Sequence, residues 1–367
     1  MAIENDKRVQ GRQSNWELMR MIAMLLIIAW HFGRQSGYFE SATGFNYWAF
    51  CLFGQCGIIA VNMFLILGVW FMVEARFKAR RLLGLYFQLW IYVAPITVLL
   101  LVLGYDVSSK ELLRSFMPFW GRSLWFVSSY LALILLAPFL HKIFTWPKER
   151  IKKLLILSFL LISVWNVVHP FHALTNNWMD TITWFAFIYV LIGYYKFYCS
   201  ATVDWNKWKV LLLGISLYMG MAIINAYAAK QGYAGMAGTL GGFCKHWLED
   251  YKTVPLLLIS LMFCYFFQRL DIGVNKFINF WAAGAFAVYV VHQTPAFINV
   301  LWIDICKTPE WAQSSQAVLY SVLIIIGVYL SIALLDKLRS FYLQPMFMRL
   351  RIVKCLEKKL DSFYRDV

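Results

Sequence analysis

The first apolar run of the chain, Asn15 to His31, carries two residues that can do chemistry, Arg20 near its start and His31 at its far end. An ionisable side chain inside an apolar span costs free energy, so one that is kept there is a candidate for function. The two lie 11 positions apart, close to three helical turns. They share one helix face and stand about 16 Å apart along the axis. That spacing suits a relay, with a guanidinium holding an anion at one end and an imidazole exchanging protons at the other. Each residue also has a plainer reading. Arg20 can snorkel to the headgroups as an anchor, and His31 can tie its helix to a neighbour. Ser14 and Glu17 have the spacing of a capping box that begins the helix, with Glu17 also placed for an i,i+3 pair with Arg20.

The elements that position these residues are apolar from end to end. Of 367 residues, 61% are hydrophobic and only 14% charged, with a mean hydropathy of +0.61. Ten segments are long and apolar enough to be read as spans: roughly 16–36, 53–73, 82–103, 121–141, 154–170, 181–199, 210–228, 253–269, 278–300 and 316–335. Placing both termini in the cytoplasm puts 26 of the 34 Lys and Arg residues on the inner side and eight on the outer. This lopsidedness is the positive-inside pattern, and it accounts for the formal charge of +15 without a nucleic-acid partner. The expected fold is an all-α polytopic membrane protein of about ten transmembrane helices in the cell membrane, both termini cytoplasmic. Residues 1–335 form one transmembrane domain, and 336–367 a basic tail with the composition of an interfacial helix. The apolar run after the polar, basic N-terminus lacks a small-residue cleavage site, so it is expected to stay as an uncleaved first span. The outer loop 229–252, with Gly232, Gly235, Gly238, Gly241 and Gly242, is a candidate lid or a mere connector.

Topology places further polar groups in one layer. His292, in the ninth span, lies just past the midplane at a depth like that of His31 and competes with it for the basic role. Asn62 falls near the middle of the second span. Trp125 lies in the outer half of the fourth and Tyr130 near its middle, with Arg122 at its outer entrance. A base with hydrogen-bond donors at a common depth suits acyl transfer, in which a hydroxyl is activated and an oxyanion steadied. Each donor also has a packing explanation, Asn62 as interhelical glue above all. On the inner side, Arg76, Lys78, Arg80 and Arg81 form the densest cation cluster near a span. His169 and His172 near Asp180 make a weak metal set, and no metal is expected. The outer tryptophans, among them Trp30, Trp48 and Trp184, suit sugar stacking. Seven cysteines include no C-x-x-C pair.

Four stretches, in order, resemble the membrane-bound acyltransferase-3 family. They are Arg20 and His31 within Asn15-x-Glu17-Leu18-x-Arg20-x-x-Ala23; Cys56 to Gly68 in the second span; Arg122 to Tyr130 around Leu124-Trp125-Phe126; and the late helix Ala285 to Gln293 with Tyr289 and His292. Three departures stand out: Leu67-Gly68 where serine–glycine is usual, Gly84 where many members carry a second arginine, and Arg122 where many carry histidine. The resemblance implies transfer of an acyl group, usually acetyl from acetyl-CoA, to a hydroxyl of a cell-surface glycan. On that reading His31 and His292 are catalytic. Asn62, Trp125, Tyr130 and Arg122 position the acceptor or the oxyanion. Arg20, Arg76, Lys78, Arg80 and Arg81 bind acyl-CoA, and Glu17 caps or orients the first helix. The competing reading is a transporter of a glycan or lipid-linked precursor that carries out no acyl transfer.

Overall fold

The computed structural model describes residues 12–54, 56–120, 124–164, 178–230 and 250–365, and no strand occurs among them. The helices that matter for the site are α1 (Ser14–Gln35), α2 (Cys56–Met72), α3 (Ala79–Val102), α4 (Trp125–His141), α5 (Lys148–Phe159) and α6 (Trp178–Tyr194). They continue with α7 (Lys207–Lys230), α8 (Val254–Gln268), α9 (Lys276–Ala282), α10 (Ala285–His292), α11 (Ala317–Leu338) and α12 (Arg351–Phe363).

Helix α1 is the centre of the bundle and touches α2, α8, α9, α10 and α11. Its sequence explains this. Met19, Ala23, Met24, Ile27, Ile28 and Phe32 recur at helical spacing and are all buried, too broad a stripe for one neighbour to cover. Against α2 it packs antiparallel. Trp16 meets Trp70 at 5.2 Å between ring centroids, and at the other end Gly57 lies against Trp30. A Cβ on Gly57 would stand 2.2 Å from that of Trp30, so only glycine permits this approach.

The start of α1 differs from the expected capping box. The N-cap is Gln13, and it makes no side-chain cap bond. Ser14 Oγ donates to Asn279 Oδ1 at 3.0 Å and accepts from Asn275 N–H at 2.7 Å. Glu17 is taken by Arg20, whose Nη1 donates to both carboxylate oxygens at 2.8 and 3.0 Å. Tertiary partners and the ion pair outcompete the local cap.

Six described helices are long and apolar enough to cross a membrane: 14–35, 79–102, 125–145, 181–199, 207–224 and 317–349. Of the other four expected spans, two are shorter, one is broken and one runs beyond the described residues. Val254–Gln268 has 15 residues, about 22 Å of helix against a hydrocarbon core of about 30 Å. Gly57–Met72 is similarly short. The segment expected at 154–170 is helical through Val164, and its remainder lies outside the described residues. The ninth is broken: Lys276–His292 and Pro295–Trp311 meet at 93°. Pro295 lacks the N–H that would continue the ladder, and the break falls immediately after His292.

Where the apolar bundle gives way to the basic tail, Asp336 is 2% exposed and Arg339 is 9% exposed. Asp336 Oδ1 accepts from Arg339 Nε at 2.6 Å, from Tyr92 Oη at 2.8 Å and from Gln88 Nε2 at 3.0 Å. This knot fixes α11 to α3 and turns the chain into the tail. Helix α12 then returns to α3. Asp361 Oδ1 accepts the Ala79 N–H at 2.8 Å, and Glu357 reaches Arg80 at 4.0 Å. Its outer side leaves Ile352, Leu356 and Phe363 exposed, the arrangement of a helix lying along an apolar surface. Replacing Asp336 with Ala strands a buried guanidinium, a loss of about 3–5 kcal/mol for a broken buried pair. Asp336→Ala is therefore expected to lower the thermal unfolding midpoint in detergent sharply, and Asp336→Asn less so.

Candidate functional site

The packing of α10 against α1 brings together the two histidines that the sequence only placed at similar depth. His31 is 9% exposed and His292 0%, and His31 Nδ1 lies 3.0 Å from His292 Nε2. His292 Nδ1 lies 2.5 Å from the Val288 carbonyl oxygen. A carbonyl only accepts, so His292 Nδ1 carries the proton. Neutral His292 then presents Nε2 as an acceptor, and His31 Nδ1 must donate to it. This assignment leaves His31 Nε2 with an open lone pair and no protein partner among the described residues. One turn away, Gln35 and Gln293 exchange hydrogen bonds at 3.0 and 3.3 Å, a second rung between α1 and the end of α10. The indole N–H of Trp30, on the residue preceding His31, is buried with no hydrogen-bond partner among the described residues, and its ring lies 4.8 Å from that of His31.

Asn62 sits elsewhere in its layer. Its Nδ2 donates to the Tyr251 carbonyl at 2.7 Å, and its Oδ1 accepts from Trp184 Nε1 at 3.0 Å. With its oxygen and one N–H engaged and no surface exposed, Asn62 ties helices together, the interhelical role that was its alternative reading. Trp184, fully buried, is likewise no sugar platform. Trp125 stacks on Tyr251 at 5.3 Å and 11°, joining the same cluster. Arg122, His169, His172 and the loop 231–249 lie outside the described residues, as does the side chain of Asp180. Among the described residues no three His, Cys, Asp or Glu side chains converge on a point.

The cations do converge. Arg20, Arg76, Lys78, Arg80 and Arg81 all line one cavity of about 1760 Å³, together with Arg12, Arg339 and Arg365. Three carboxylates share it, Glu17, Glu74 and Asp361, and each is engaged: Glu17 by Arg20, Glu74 by Lys196 at 2.8 Å, Asp361 by the Ala79 N–H. The cavity also faces the amino end of the 24-residue helix α3, where the helix dipole favours an anion. The sum is a strongly anion-attracting chamber. Sequence reasoning missed Arg12, His141, Arg339 and Arg365 as lining residues, because the folding that brings the two ends of the chain together leaves no local pattern.

Histidines 31 and 292 do not line this cavity; Tyr130, Gly68 and Leu67 do. Tyr130 packs hard on Gly68, where a Cβ would stand 2.4 Å from its hydroxyl. From Tyr130 a file of rings runs to the pair. Phe126 stacks on Tyr130 at 6.0 Å, Tyr289 lies 6.0 Å from Phe126, and His292 lies 6.1 Å from Tyr289. The file thus runs in ring contacts from the wall of the chamber to the histidine pair.

Long apolar helices around a buried polar pair define a multi-pass membrane protein. Residues 13–336 match the family model of the acyltransferase-3 domain, described as an acyltransferase domain. The chain belongs to the acyltransferase-3 family and is a membrane acyltransferase. No curated protein and no solved structure matches it.

The hydrogen-bond chain makes a spectroscopic prediction. In protein carrying ¹⁵N-labelled histidine, both His31 and His292 should show a protonated Nδ1 and an unprotonated Nε2. A protonated Nε2 on neutral His31 would remove its free lone pair.

Proposed function

We propose that this chain is an O-acetyltransferase that moves an acyl group, most simply acetyl, from cytoplasmic acyl-CoA to a hydroxyl of a cell-surface or lipid-linked glycan. Its setting is the plasma membrane, with both termini on the cytoplasmic side, as the charge asymmetry between loops favours. The observation that carries the reading is the chain from the Val288 carbonyl through His292 to His31, which leaves one imidazole lone pair of His31 open.

The basic cavity suits the donor's nucleotide. Arg20, Arg76, Lys78, Arg80 and Arg81 supply cations for its phosphates. The pantetheine arm passes Tyr130 and follows the ring file toward His31, a route of the order of the 16 Å between Arg20 and His31. His31 Nε2 takes the proton of the acceptor hydroxyl as its oxygen attacks the thioester carbonyl. The tetrahedral oxyanion draws on the Trp30 indole N–H. The C–S bond then breaks, and the departing thiolate recovers the proton from His31, so atoms and charge balance. His292 holds the tautomer and stabilises the imidazolium that forms on His31, as a buried acceptor does for a catalytic histidine. On this reading His292 acts as a positioning residue and His31 as the base.

The test uses purified protein in nanodiscs with acetyl-CoA and a glycan acceptor, following release of free CoA and gain of acetyl mass on the glycan. His31→Ala should lower transfer by about 10²–10⁴-fold while the protein still folds; full activity in that variant would overturn the assignment. His292→Leu, which removes the acceptor for His31 Nδ1–H, should lower kcat. His292→Gln, whose amide oxygen can accept, should recover part of it. Movement of glycan across the membrane without thioester turnover would favour a transporter instead.

A further inference from the structure

The family match ends at Asp336, yet the chain beyond it builds part of the cavity wall. Arg339, Ser340, Gln344, Asp361, Tyr364 and Arg365 all line the chamber. Helix α12 is held there by polar contacts on the first turn of α3, through Asp361 to the Ala79 N–H and Glu357 to Arg80. One turn after Asp361, Tyr364 lays its ring on that of Phe77, with centroids 4.0 Å apart at 35°, and Phe139 braces it from the side at 5.9 Å and 65°. Phe77 and Tyr364 are both only half-buried, an expensive way to use two aromatic rings if packing were their whole role. Arg76, Lys78 and Arg365 surround them. Flat aromatic faces beside several guanidinium and ammonium groups are the chemistry that binds a purine nucleotide, the base stacking and the phosphates pairing.

We propose that Phe77 and Tyr364 form the shelf on which the purine ring of the donor stacks, so that the segment after Asp336 is a donor-recognition element. This rests on the reading of the cavity as the acyl-CoA site. The amphipathic helix then has two faces with separate tasks. One carries Asp361 and Tyr364 to the cavity, and the other leaves Ile352, Leu356 and Phe363 exposed.

Calorimetric titration of full-length protein in nanodiscs with CoA tests the shelf. Tyr364→Leu keeps an apolar side chain against Phe139 but removes the π face; it should weaken CoA binding by about tenfold without moving the thermal unfolding midpoint. Tyr364→Phe should bind CoA as the wild type does. Wild-type affinity in Tyr364→Leu would overturn the shelf and leave the donor site standing. A wild-type protein that shows no CoA binding would overturn the donor reading of the cavity, and the shelf with it.

Discussion

Much near the candidate site follows from a constraint of apolar surroundings: a buried polar nitrogen is costly to leave without a partner. His31 and His292 answer it for each other, with the Val288 carbonyl taking the last proton. Because that chain of donors and acceptors has a direction, it fixes which nitrogen of His31 stays open. The pair also ties α1 to α10, so the contact that sets the tautomer is one that sets the packing. The Gln35–Gln293 exchange, one turn away, prevents the two helices from rotating against each other.

The pairing sits at the break at Gln293 to Pro295. In a continuous ninth span, His292 would be one residue on a helix face, facing whatever its phase dictated. With the helix ending there and the chain leaving at 93°, the imidazole stands at a helix terminus inside the bundle. Irregular backbone at this depth is tolerated where protein covers it, and α1 and α11 both contact α10.

Much of this was legible in the sequence, and the parts that were not have a common cause. Hydropathy located the apolar segments. Arg20 and His31 were recognisable because charged or titratable groups are rare in such runs. Hydropathy does not distinguish a full span from a 15-residue helix or a broken one, since all three are apolar windows; six of the ten apolar segments are full-length helices among the described residues. Depth placed Asn62 in the polar layer, but depth does not reveal that Trp184 and the Tyr251 carbonyl engage the oxygen and one N–H of its amide. The capping box at Ser14 failed for the same reason, as distant Asn275 and Asn279 claim the serine. Arg12, Arg339 and Arg365 read as part of the positive-inside pattern, and only the meeting of chain ends turns them toward a shared chamber.

The bond between Asp361 and the Ala79 N–H joins residues 282 positions apart, which orders events during synthesis. Helix α3 enters the membrane with its first-turn N–H groups open, and the carboxylate that receives one of them leaves the ribosome only after every apolar helix described. The histidine pair is complete earlier, once α10 has met α1. During translation the interior of the bundle can therefore mature before its charged mouth does, and a nascent chain carries its proton-handling groups in place before it has the wall that surrounds an anion.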